Sequence, residues 1–131
     1  MKKLFLSITL LSVMLVSAKT VDPIKINADY TSYYSTNVNS FCKLIQMGNY
    51  EIVESLIKQG ADVNLKSMGL TPLMFAARHN KAKIAELLIN NGAKLRAKST
   101  KGFTALKWAE LSNANATYKI IEAALENQKR K

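Results

Sequence analysis

Gly69-Leu70-Thr71-Pro72-Leu73-Met74-Phe75-Ala76-Ala77 is echoed by Gly102-Phe103-Thr104-Ala105-Leu106-Lys107-Trp108-Ala109-Glu110. Thr71 and Thr104, Leu73 and Leu106, and Ala76 and Ala109 are each 33 residues apart. A second echo, Gly60-Ala61-Asp62-Val63-Asn64 and Gly92-Ala93-Lys94-Leu95-Arg96, runs at 32. Self-similarity at such a period marks stacked supersecondary units rather than one closed core. Local chemistry identifies the unit. Thr71 offers a hydroxyl to the free N–H groups that open a helix, and Pro72 has no N–H to lose at the first helical position. Ala76 and Ala77 let neighbouring helices approach closely. Ile84, Leu87 and Leu88 hold a helical apolar stripe, and Asn91-Gly92 stop it with residues that tolerate the left-handed region. Upstream, Phe41, Leu44 and Ile45 form one stripe and Ile52, Val53, Leu56 and Ile57 another. Gly48-Asn49 divides these two and Gly60 closes the second. Three helix pairs are expected.

These residues resemble the ankyrin repeat. Thr71-Pro72-Leu73 followed by Ala76-Ala77 is similar to that family's helix-opening motif, and Ile84, Leu87, Leu88 with Gly92-Ala93 to its second helix and stop. The resemblance covers residues 39–126, as repeats at about 39–66, 67–98 and 99–126. It implies an all-α ankyrin-repeat solenoid of about three helix–turn–helix repeats with short β-hairpin fingers. Three repeats lie near the minimum for an independent array, so modest stability is expected. The departures are specific. Where the family carries His after Thr-Pro-Leu, this chain has Met74 and Lys107, so that cross-repeat bonding is absent. Asn80 stands in place of the glycine between the two helices, a residue still suited to the left-handed region. From Ala109 to Ile120 the last repeat reads about three residues too long, which predicts an irregular final turn.

The flanks read differently. Met1-Lys2-Lys3, an apolar run over residues 4–16 and Val16-Ser17-Ala18 have the order of a cleavable export signal. Thirteen residues at about 1.5 Å each span roughly 20 Å, short of the ~30 Å hydrocarbon core that an uncleaved anchor must cross. No cysteine follows the run directly, which excludes a lipoprotein. Cleavage after Ala18 and a bacterial periplasmic or secreted destination are expected. Residues 19–38, with Asp22-Pro23 and Tyr30, Tyr33 and Tyr34, fall outside the repeat pattern. They read as an extension that either covers the first repeat or serves as a linker. Residues 127–131 read as a polar, frayed tail.

Candidate chemistry is sparse. The 131 residues hold one cysteine and one histidine, so an intramolecular disulfide and a zinc site of several Cys and His ligands are both excluded. Cys42 and His79 fall in different repeats with no third residue to orient them, so a nucleophile–base pair is not expected. Cys42 reads as a packing residue. Met47, Met68 and Met74 read as core filling and groove contact rather than as copper or haem ligands. Phosphate-binding glycine loops are absent and the carboxylates are scattered. No enzyme and no cofactor are expected.

Charge carries the functional reading. Lys and Arg number 19 against nine Asp and Glu, a net +10, and residues 19–131 retain +8. Lys66, Arg78, Lys81, Lys83, Lys94, Arg96, Lys98, Lys101 and Lys107 share their stretch with one acid, Glu86. A surface this basic favours acidic partners. By the resemblance, the fingers and adjoining helix ends line a concave binding face. That places Lys66, Met68 and Leu70 on one finger, Lys98, Lys101 and Phe103 on the next, and Arg78 and His79 on the helix end between them. Met68, Leu70 and Phe103 are expected to be exposed apolar anchors. A monomer binding another, acidic protein as inhibitor, protector or scaffold is the expectation. Nucleic acid is disfavoured, since no aromatic stacking array is interleaved with the cations. Membrane contact is expected only through the export signal or weak electrostatics. The rival reading is an envelope-associated structural protein adhering to anionic polymers or lipids.

Overall fold

The computed structural model describes residues 38–131. The expected export signal at residues 1–18 and all of the 19–38 extension except Val38 lie outside the described residues. Among those described, six helices form three pairs: α1 (Ser40–Met47) with α2 (Tyr50–Lys58), α3 (Pro72–Arg78) with α4 (Ala82–Asn90), and α5 (Ala105–Leu111) with α6 (Asn115–Lys129). Within each pair the helices pack together. Between pairs, α1 packs on α3 and α3 on α5, while α2 packs on α4 and α4 on α6. The result is a three-repeat all-α solenoid with an inner layer of short helices and an outer layer of longer ones.

Each inner helix opens the same way. The side chains of Asn39, Thr71 and Thr104 accept from the backbone N–H three residues on, at 2.8, 3.3 and 3.3 Å. Pro72 occupies the first helical turn. Met74 does more than vacate the family's usual histidine. Its Sδ accepts from the Thr71 N–H at 3.4 Å, completing a reciprocal cap through a thioether. Cys42 and Met74, each three residues past its cap, are fully buried between layers, whereas Lys107 at the same position is exposed and pairs with Glu110 at 2.9 Å. Among the described residues nothing covers that face, and a charged side chain suits its exposure.

The turns between paired helices correct one expectation. Gly48, Asn80 and Asn113 all take left-handed φ, at 77°, 49° and 53°. The Lys81 N–H donates to Ala76 and the Ala114 N–H to Ala109, both at 2.9 Å. The last turn is therefore a copy of the middle one, with no extra residues and no irregularity. The apparent excess came from matching Ile120 to Ile84. Thr117 stands in that place and Ile121 matches Leu88, both fully buried. Thr117 is tolerated because Asn80 Oδ1 accepts from its hydroxyl at 3.1 Å and its N–H at 3.3 Å. Asn80 thus supplies both the turn conformation and a tie to the next repeat. At the C-terminus α6 continues to Lys129, so most of the segment read as frayed is helical.

The fingers are tight turns with almost no strand character. Ser67 and Leu70 exchange N–H···O bonds at 2.9 and 3.0 Å and form one isolated bridge. The second finger closes with the Ser99 N–H on Phe103 O at 2.9 Å. Neighbouring fingers are tied side by side. Asn64 donates to Gly92 O at 3.0 Å and accepts from the Lys94 N–H at 2.8 Å. Thr100 N–H donates to Gly69 O at 3.2 Å. Gly69 is obligatory here, because a Cβ built on it would fall 2.5 Å from Thr100 Cγ2.

Met68 is the strained member of this array. It sits at φ 51° beside Gly69 at φ 75°, and a non-glycine residue in that region costs roughly 1–2 kcal/mol unless it is Asn or Asp. Met68→Asn is expected to raise stability by about 1 kcal/mol, a gain of roughly 4–8 °C in Tm for a domain of this size. Thermal melts followed by circular dichroism check it; an unchanged or lower Tm refutes the strain.

Candidate functional site

The concave side holds a groove of about 400 Å³ between the fingers and the ends of the inner helices. Of the residues expected at the binding face, it brings together Met68, Leu70, Arg78, His79 and Lys101. Val38, Gln46, Phe75, Thr100 and Trp108 complete its lining. Every cation there is either Arg or Lys on an exposed position, and no carboxylate lines the groove.

Three expected residues do not line it. Lys66 is exposed, but its Nζ donates to Lys98 O at 2.9 Å, binding one finger to the next. Lys98 is exposed on the finger. Phe103 is half-buried, its ring edge-on to Trp108 with centroids 5.6 Å apart and planes at 75°. It braces the wall and is not an exposed anchor. Leu70 also departs from expectation. It lines the groove floor at 7% exposure, because the bridge to Ser67 turns its side chain inward. Met68, at 62% exposure, is the apolar side chain the finger does present.

The charged groups are arranged around aromatic surface. The Arg78 guanidinium lies 5.0 Å from the Trp108 ring centroid, a cation–π distance. It has no carboxylate partner among the described residues. His79 is half-buried, and its pKa is held below 6.5, first by burial and then by the charges of Arg78, Lys81 and Lys43. At neutral pH the imidazole is uncharged and the positive charge at the groove belongs to Arg78 and Lys101. The Trp108 Nε1–H is shielded from solvent and has no acceptor among the described residues.

Trp108 and its neighbours escaped a reading centred on the fingers. The signal lay in the caps. Lys43, Phe75 and Trp108 each fall four residues after Asn39, Thr71 and Thr104, and Gln46, Arg78 and Leu111 fall seven after. Of these, Gln46, Phe75, Arg78 and Trp108 line the groove. Leu111 and Met47, at positions matching Arg78 and His79, are large apolar side chains left 52% and 57% exposed.

Comparison with known proteins agrees with this architecture. The family model for ankyrin repeats (three copies) matches residues 41–130. Over 93 residues the chain is 38% identical to an ankyrin repeat protein of fowlpox virus (strain NVSL), covering 67% of this chain and 27% of that one. Over 102 residues it is 28% identical to the human ankyrin repeat and SOCS box protein 3, covering 75% of this chain and 19% of that one. A 47-residue stretch is 47% identical to a glycerophosphocholine phosphodiesterase of Eremothecium gossypii, covering 34% of this chain but 4% of that enzyme. The chain spans about a quarter or less of the length of these relatives, so the likeness is one of repeats. Such repeats generally mediate protein–protein interaction and are typically not enzymes.

Proposed function

The chain belongs to the ankyrin-repeat family, and from that premise we propose that it is an exported interaction module that binds an acidic periplasmic or secreted protein through its concave basic face, as inhibitor, protector or scaffold. The observation that carries this reading is the groove itself. It joins Arg78 and Lys101 to Met68, Phe75 and Trp108 with no carboxylate in its lining. Apolar surface supplies the contact that holds a partner, and the unpaired cations select its sign and speed its approach. Export rests on the charged, apolar and small-residue segments at residues 1–18.

The test is capture of a partner in stoichiometric amount. Protein recovered from its own periplasm is expected to begin at Lys19 by intact mass and to retain a saturable acidic protein. Reversing charge at Lys98 and Lys101 should slow association several-fold, more steeply at low salt. Reversal at Lys83 and Lys119, exposed on the outer helices α4 and α6, should leave association unchanged. Lys81 is unsuitable as a control because its charge reaches His79. Retention of anionic polymer alone, with no stoichiometric protein, would overturn the reading.

A further inference from the structure

We propose that the groove recognises a short linear epitope in which a carboxylate side chain adjoins a bulky apolar one, with Arg78 and Lys101 taking the carboxylate and the Met68–Phe75 surface taking the apolar group. This deepens the interaction-module reading and rests on it. It identifies the chemical unit that is bound and joins Arg78 and Phe75 of an inner helix to Lys101 and Met68 of the fingers.

Size sets the first limit. The groove offers about 400 Å³ and is partly open to solvent, room for a few side chains of a partner. A short segment of a partner suffices to reach its lining. Charge sets the second. Arg78 and Lys101 have no carboxylate partner among the described residues, and His79 is held neutral beside them. A guanidinium presents two parallel donors matched to a carboxylate, and Arg78 is held near the groove by its stack on Trp108. The third mark is an unmet donor in the wall. Trp108 lines the groove, and its Nε1–H has no acceptor among the described residues. A buried donor left unpaired is costly, and an acceptor brought to this wall would satisfy it. The apolar half follows from Met68, which is exposed, with the largely buried Leu70 and Phe75 in the same lining.

Trp108 is the sole tryptophan of the chain, so its emission reports the groove directly. The probe is a blocked tetrapeptide alternating glutamate and leucine, titrated against the full mature chain, with the glutamine–leucine peptide as isosteric control. A saturable change in Trp108 emission is expected with the glutamate peptide and not with the control. Arg78→Gln should weaken that binding about 10- to 100-fold, the worth of a hydrogen bond to a charged group. Lys83→Gln should leave it unchanged. Far-UV circular dichroism of Arg78→Gln verifies that the repeats remain folded, as expected for an exposed side chain. Equal response to both peptides, no response to either, or indifference to Arg78→Gln would overturn the proposal. So would a polyanion without apolar groups, such as dextran sulfate, displacing the peptide and giving the same emission change. Failure of the interaction reading looks different. If the native partner is captured equally by the wild type and Arg78→Gln, the epitope falls and the module stands; if no protein partner is captured at all, the module falls.

Discussion

Leu88→Ala is expected to destabilise the array by roughly 2–5 kcal/mol. Leu88 is fully buried on α4, the outer helix that packs against α2, α3 and α6 together. Removing its side chain leaves a cavity that no single repeat can close by moving alone. At about 0.05–0.15 kcal/mol per residue, the described residues hold roughly 5–14 kcal/mol, so this one truncation removes a large share. Equilibrium urea unfolding checks it. Leu111→Ala serves as the comparison. That residue has the same chemistry but is half exposed at the end of α5, and its loss should stay within about 0.5 kcal/mol. A Leu88→Ala loss below about 1 kcal/mol would contradict the burial register along α4.

The same register explains what could be read from residues alone. The opening at Thr71 was readable because its own side chain caps the helix, a signal local in sequence that Asn39 and Thr104 repeat. Stripes such as Ile84 and Leu88 were readable because they face neighbouring layers on both sides. The last repeat was misaligned because hydropathy expects an aliphatic residue where Thr117 stands. Its hydroxyl is satisfied by Asn80, 37 residues away, and no local pattern carries that bond. Likewise, Leu70 and Phe103 were assigned to exposed tips because finger membership was taken as exposure. Turn closure decides otherwise: Ser67 pulls Leu70 inward and Trp108 receives Phe103.

The binding face was partly readable for a related reason. Its cations stand out in composition, since nine of them accompany one acid. Which of them share a cavity depends on how far the inner helices recede behind the fingers, a tertiary quantity. Lys66 shows the consequence, for its charge is directed at Lys98 O and not at the groove. Trp108 shows the converse. Its partner Arg78 lies one repeat away, and only stacking of the repeats brings the two together.

Cys42 is expected to resist alkylation in the native protein by at least about a thousandfold. Burial on α1 pushes its thiol from 9.0 up to about 12, with the Asn39 hydrogen bond pulling weakly the other way. At pH 8 that lowers the thiolate fraction by about three decades, and the thiolate is the reacting species. The side chain is also fully covered, so iodoacetamide reaches it only when the first repeat opens. The labelling rate therefore measures an opening equilibrium, and this makes it a test of cooperativity between repeats. If the three repeats open as one unit, Leu88→Ala in the second repeat should accelerate labelling of Cys42 in the first by its full cost, about 30-fold to about 4,000-fold for 2–5 kcal/mol. If the first repeat opens independently, labelling will be fast in both proteins and insensitive to Leu88. Mass spectrometry of the alkylated chain over time distinguishes the two. Rapid labelling of the wild type would refute the coupling of the array.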